Sequence, residues 1–152
     1  MSSGRCAMAA EYQIYDHWRD VPKDKWPWPN FTPFEMRCRG TDRLIVVPAF
    51  MDRLQGLRTL LGKPLLVSSA YRDPSYNAKV SSTGRMGPHT TGRAIDLLVY
   101  GERAYHVAGS AYAAGFTGIG LRQEGAFNHR FIHLDDLDTV LNAHRPTVWT
   151  YT

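Results

Sequence analysis

Cysteine is scarce in this chain of 152 residues, with only Cys6 and Cys38. Two thiols do not make a disulfide framework, so both are expected to be free, partly buried thiols. Stability must then come from a hydrophobic core, and the length suits a single domain with one such core. No apolar run approaches the roughly 20 residues of a membrane span. Residues 1–10 hold one early Arg5 and a patch of small residues without an apolar stretch behind it. No secretory signal peptide is therefore expected. Runs of lysine or arginine are missing too. The formal net charge of +4 is scattered along the chain, and neither zinc-finger nor helix-turn-helix spacing occurs, which argues against a nucleic-acid partner. Repeats and low-complexity segments are absent, and a hydrophobic content of 43% is that of an ordered globular protein.

What is present falls into short elements. Residues 1–30 are rich in aromatics (Tyr12, Tyr15, Trp18, Trp26, Trp28) and broken by Pro22, Pro27 and Pro29, and they read as an extended arm packed on the domain formed by residues 31–152. Thr32-Pro33-Phe34-Glu35 is a capping box with proline at the first helical position, which predicts a short helix ending near Gly40. After a short strand at 44–47, Pro48 opens a helix through Leu61. Phe50, Met51, Leu54, Leu57, Leu60 and Leu61 give it one apolar face. Strands are predicted at 65–69, 94–99, 118–121 and 130–134, with helices starting at Asp73 and spanning 102–114, and an extended tail over 145–151. Helices and strands intermingle in this order, so the fold class is α+β, a single domain with a mainly antiparallel sheet flanked by helices.

The chemistry concentrates in two stretches. Pro88-His89-Thr90-Thr91-Gly92-Arg93-Ala94-Ile95-Asp96 places a histidine and an aspartate around a turn glycine and leads into a strand. Phe131-Ile132-His133-Leu134-Asp135 is a strand with a histidine at its centre. A mixed nitrogen and oxygen set held on strands suits a zinc ion with an open fourth position. By spacing alone, a structural hydrogen bond is the preferred reading of this His–Asp pair.

Together the two stretches resemble the zinc D-Ala-D-Ala carboxypeptidase and phage endolysin family. That group is akin to the vancomycin-resistance D,D-dipeptidases and, in fold, to the Hedgehog signalling domain. The likeness begins near Trp26 and includes Asn30-Phe31-Thr32-Pro33-Phe34-Glu35, Gly62-Lys63-Pro64-Leu65, Ser69-Ala70-Tyr71-Arg72 through Asn77, and the tail Arg145-Pro146-Thr147-Val148-Trp149. The resemblance implies His89, Asp96 and His133 as zinc ligands, and Arg72 as the group that steadies the scissile carbonyl or oxyanion. Ser69 and Asn77 would be supporting residues.

Two positions depart from the family pattern. Gly87 stands where a serine is common, which removes a side-chain hydrogen bond. Arg130 occupies the place of the usual carboxylate base and cannot accept a proton. Asp135, two residues beyond His133 and on the same strand face, is the expected base, with Glu124 and His129 as alternatives. His17, His106 and His144 sit outside any motif and read as surface residues.

The implied function is zinc-dependent hydrolysis of stem or cross-link peptides of bacterial peptidoglycan, by a D,D-carboxypeptidase or an endopeptidase of the phage endolysin or virion-associated kind. The chain would be made in the host cytoplasm and act at the cell wall or periplasm, as a monomer or in the virion. The competing expectation is a non-catalytic, zinc-stabilised binding or virion-structural module.

Overall fold

A computed structural model describes residues 11–138 and 144–151. Cys6 and the rest of residues 1–10 lie outside that range, while Cys38 is a buried free thiol.

The N-terminal aromatics make core and edge contacts. Strand β1 (Gln13–Tyr15) pairs antiparallel with β2 (Leu44–Val46). Trp28 is buried, and its indole N–H donates to Asp52 at 2.8 Å. The capping box forms as expected: the Thr32 hydroxyl accepts from the Glu35 N–H at 3.2 Å and the Glu35 carboxylate from the Thr32 N–H at 2.8 Å. The helix it opens, α1 (Pro33–Met36), stops well before Gly40. Helix α2 (Pro48–Leu61) buries Phe50, Met51, Leu54 and Leu57, the stripe its sequence periodicity predicts. Leu60 is left out of that stripe and is exposed.

Five strands form the main sheet: β3 (Leu66–Ser69), β4 (Ala94–Leu98), β5 (Gly118–Arg122), β6 (Phe131–Asp135) and β7 (Thr147–Thr150). Their order is β3-β4-β6-β5-β7, antiparallel except for the parallel β5–β7 pair. The tail predicted only to be extended thus supplies one of the two edge strands of the sheet. Helix α3 (Pro74–Val80) follows β3, and α4 (Gly101–Ala113) follows β4. One sheet face carries Ile95, Leu97, Ile119, Ile132 and Leu134. It joins the apolar stripe of α2 and the small residues Ala104, Val107 and Ala111 of α4 in one core. Side chains alternate along each strand, so the other face is free to carry something else.

Candidate metal centre and active-site cleft

Register sets the second face. Ser69, Asp96, His133, Gly120 and Trp149 align in one row across all five strands. A neighbouring row runs through Ala94, Asp135, Gly118 and Thr147, and the row on the other side through Leu98, Phe131 and Arg122. Strand β5 supplies glycine at the crowded places. A Cβ on Gly118 would collide with the Asp135 carboxylate, and one on Gly120 would lie 2.6 Å from the Trp149 indole. His89 enters from a 3-10 turn, Pro88–Thr91, just ahead of β4. Gly92 closes that turn with φ +74°, where a Cβ would also press on Ile45.

His89, Asp96 and His133 are all buried, and one potential ligand atom from each lies within 4.8 Å of the others. Asp96 Oδ1 stands 3.3 Å from His89 Nε2 and 3.1 Å from His133 Nδ1. A tetrahedral zinc with bonds of about 2.0–2.1 Å has ligand–ligand edges of roughly 3.3 Å, so this spacing fits. The far nitrogen of each ring is occupied. His89 Nδ1 donates to the Ala70 carbonyl at 2.6 Å, and His133 Nε2 donates to Asp135 Oδ2 at 2.7 Å. Those bonds orient the rings so that a neutral imidazole turns a lone pair toward Asp96. Two lone pairs facing a carboxylate repel unless a cation lies among them, and these three groups could hold one.

The two rings differ in their charge balance. Burial pushes the His89 imidazolium down, against the pull of Asp96. Burial opposes charge on His133 as well, yet its hydrogen bonds to Asp135 and Asp96 outweigh that and raise it. Asp96 pays for desolvation but is held well below the usual carboxylate range by the two histidines.

The expectation of Asp135 as general base does not fit its position. Its carboxylate is fully buried and faces the outer nitrogen of His133, not the inner one. Arg145 grips it with two prongs, Nε to Oδ1 at 2.8 Å and Nη2 to Oδ2 at 2.7 Å. Although burial works against the charge, these partners keep the carboxyl ionised, with its pKa lowered to about 2. A carboxylate so placed can orient the His133 ring, and it does not face the point where His89, Asp96 and His133 converge. Trp149 packs beside the same ring at 5.2 Å between centroids. Arg145 and Trp149 have roles here that their place in the extended tail did not assign.

Arg72 reaches the row from the end of β3. Its Nε donates to Ser69 Oγ at 2.9 Å, Nη1 to Asn77 Oδ1 at 3.3 Å and Nη2 to Asp96 Oδ2 at 3.2 Å. The ion pair with Asp96 and a place in the cleft wall therefore coexist. Three of the guanidinium's five N–H groups are used, and the others remain for a substrate oxygen. Ser69 and Asn77 hold this arginine, and the Asn77 amide also donates to Thr83 Oγ1 at 2.8 Å. The space that a serine side chain would take at Gly87 is filled by the Thr83 hydroxyl, with which a Cβ there would collide.

The row opens into a cleft of about 1050 Å³ lined by Arg72, His89, Asp96, Arg122, His133 and Trp149, among others. All 14 acidic residues fall within the described part of the chain, and Asp96 alone of them lines the cleft. Glu124 and His129 are exposed on the β5–β6 connection and do not line it, so neither is brought to the ligands. Arg130 turns away from the cleft, donating to the Gly125 carbonyl at 3.0 Å and lying over Phe127. His144 is exposed, as expected of a surface residue, and it lines the cleft. The one signal for it was its place directly before Arg145.

A family model described as Peptidase M15 matches residues 29–135 of the chain. Comparison with curated proteins finds no match.

Proposed function

The chain belongs to the peptidase M15 family of zinc peptidases, and on that premise we propose that it hydrolyses peptide bonds in the stem or cross-link peptides of bacterial peptidoglycan. The observation that carries this reading is the convergence of His89, Asp96 and His133 at the floor of an open cleft, with Arg72 beside them. In this reading His89 Nε2, Asp96 Oδ1 and His133 Nδ1 would hold zinc. Bound there, zinc supplies a Lewis acid for the scissile carbonyl and lowers the pKa of the attacking water.

The chain's own groups do the rest. Asp135 and the Ala70 carbonyl fix the two imidazoles. The free N–H groups of Arg72 donate to the carbonyl oxygen as negative charge develops on it. The ligand residues are committed to the metal, so of the described residues lining the cleft His144 is the candidate to test as acceptor of the proton from water. His144→Gln should then lower kcat by about a hundred-fold or more with zinc content unchanged; wild-type turnover in that variant would exclude the role. That Asp96 is the one acidic side chain among the described cleft residues favours a competing reading, a zinc-stabilised module without catalysis.

One assay decides between them. Isolated sacculi are incubated with the zinc-loaded protein, with and without chelator. Release of muropeptides that stops on chelation supports the peptidase. No release across the pH range supports the module. Synthesis in a host cytoplasm and action at the wall as a phage lysin complete the proposed picture; no helix among the described residues is long and apolar enough to cross a membrane.

A further inference from the structure

Arg122 ends β5 on the cleft face, directly across from Phe131. It lies two residues beyond Gly120, so one repeat of the pleat, about 6.8 Å, separates it from the row of Asp96 and His133. The other two arginines of the cleft are committed, Arg72 to Asp96 and Arg145 to Asp135. Arg122 is exposed, and its guanidinium makes no hydrogen bond or ion pair among the described residues. Among the described residues it is thus the uncompensated positive charge of a cleft whose one acidic side chain, Asp96, is already in use.

Tyr151 stands beside it. The Tyr151 N–H donates to the Leu121 carbonyl at 3.2 Å, which draws it alongside the end of β5, and its ring packs on Phe131 at 5.1 Å. It shares the cleft-facing side of the tail with Thr147 and Trp149, each two residues apart. Burial pushes its phenol up, so the hydroxyl stays protonated and available as a donor.

We infer that Arg122, with Tyr151 beside it, binds a carboxylate carried by the substrate residue next to the scissile bond, and so selects peptides that end in a free carboxylate at that point. An extended residue spans about 3.3–3.6 Å, and a flexible guanidinium stem covers the remainder, so one residue bridges the two rows. A register offset of one pleat repeat from the ligand row suits a terminal carboxylate, and a guanidinium matches that group with two parallel donors. The inference deepens the peptidase reading and rests on it.

Three N-acetylated tripeptides test it: L-lysyl-D-alanyl-D-alanine as the free acid, the same peptide as its C-terminal amide, and an amide with glutamate as the last residue. Hydrolysis is followed with zinc-loaded protein, and equilibrium binding with metal-free protein. Wild type should take the acid with a KM about ten- to a hundred-fold below that of the amide. Arg122→Gln should raise the acid's KM by that factor, leave kcat within a few-fold and leave the amide unaffected. Arg122→Lys should recover part of the difference. If the glutamyl amide behaves like the acid, selection for a terminal carboxylate is overturned, and the group that Arg122 recognises is a side-chain carboxylate.

Hydrolysis of acid and amide alike, or an acid preference undiminished in Arg122→Gln, overturns the inference while the peptidase reading stands. Acid-selective binding that Arg122→Gln abolishes, with no peptide cleaved at any zinc level, overturns the peptidase reading and keeps the carboxylate site.

Discussion

The two faces of the five-stranded sheet are built from alternating residues of the same strands and obey different rules. On β6, Ile132 and Leu134 face α2 and α4 and are fully buried in the core, while Phe131, His133 and Asp135 face the other way. The core face is held by non-directional burial, so many hydrophobic residues of similar size would serve it. The cleft face depends on particular atoms: His133 Nδ1 near Asp96 and Nε2 on Asp135, with Arg145 behind. Glycine is needed at positions 118 and 120 only because Asp135 and Trp149 occupy the space above them. One face therefore answers for stability in bulk, and the other for a site that fails atom by atom.

Substitutions on the two faces should separate these roles. The largest effect is expected from replacing His89, Asp96 or His133 by alanine. Each should lose stoichiometric zinc and all activity, and should unfold more readily because metal affinity contributes to folding. Elemental analysis with thermal melts checks this, and wild-type zinc content in any one variant removes that residue from the proposed ligand set.

Leu134→Ala probes the opposite face of the same strand. Removing this fully buried side chain should cost about 2–5 kcal/mol of stability in urea, while the folded fraction keeps its zinc and its kcat. Loss of zinc from the folded protein would show that the two faces are not separable.

Arg72→Ala should keep zinc and fold yet lose about a hundred- to a thousand-fold in rate, the usual consequence of removing an oxyanion donor. Arg72→Lys should restore only part, lacking the planar fork. Steady-state kinetics decide the matter, and full activity in Arg72→Ala would make the residue structural.

Asp135→Asn is the smallest change. If the carboxylate orients His133, zinc affinity or activity falls by about ten- to a hundred-fold, and excess zinc returns part of the rate. A turnover collapse with unaltered zinc affinity in a metal titration would return Asp135 to the role of base.

The core face was largely legible beforehand. The stripe on α2 and the apolar alternation of β4 and β6 are local patterns, and burial follows from them. The His89–Asp96 segment was readable for a similar reason, since its turn and strand are contiguous in the chain. What could not be read was the assembly across strands. Arg145 reaches Asp135 by way of a tail that pairs on the far side of β5, and no nearby residue pattern announces that pairing. The same long-range closure brings His144 and Tyr151 to the cleft, while the local hairpin carrying Glu124 and His129 leaves both outside it. Thr83 standing in the space at Gly87 is likewise a contact between loop positions that spacing alone does not reveal.

The central claim is that the cleft face holds one zinc ion on chosen nitrogens. Anomalous diffraction at the zinc edge from crystals grown with zinc tests it most directly. The account predicts a single strong peak bounded by His89 Nε2, Asp96 and His133 Nδ1, with His133 Nε2 still on Asp135. No peak at that point, or a metal bound through His133 Nε2 with Asp135 displaced, would contradict it.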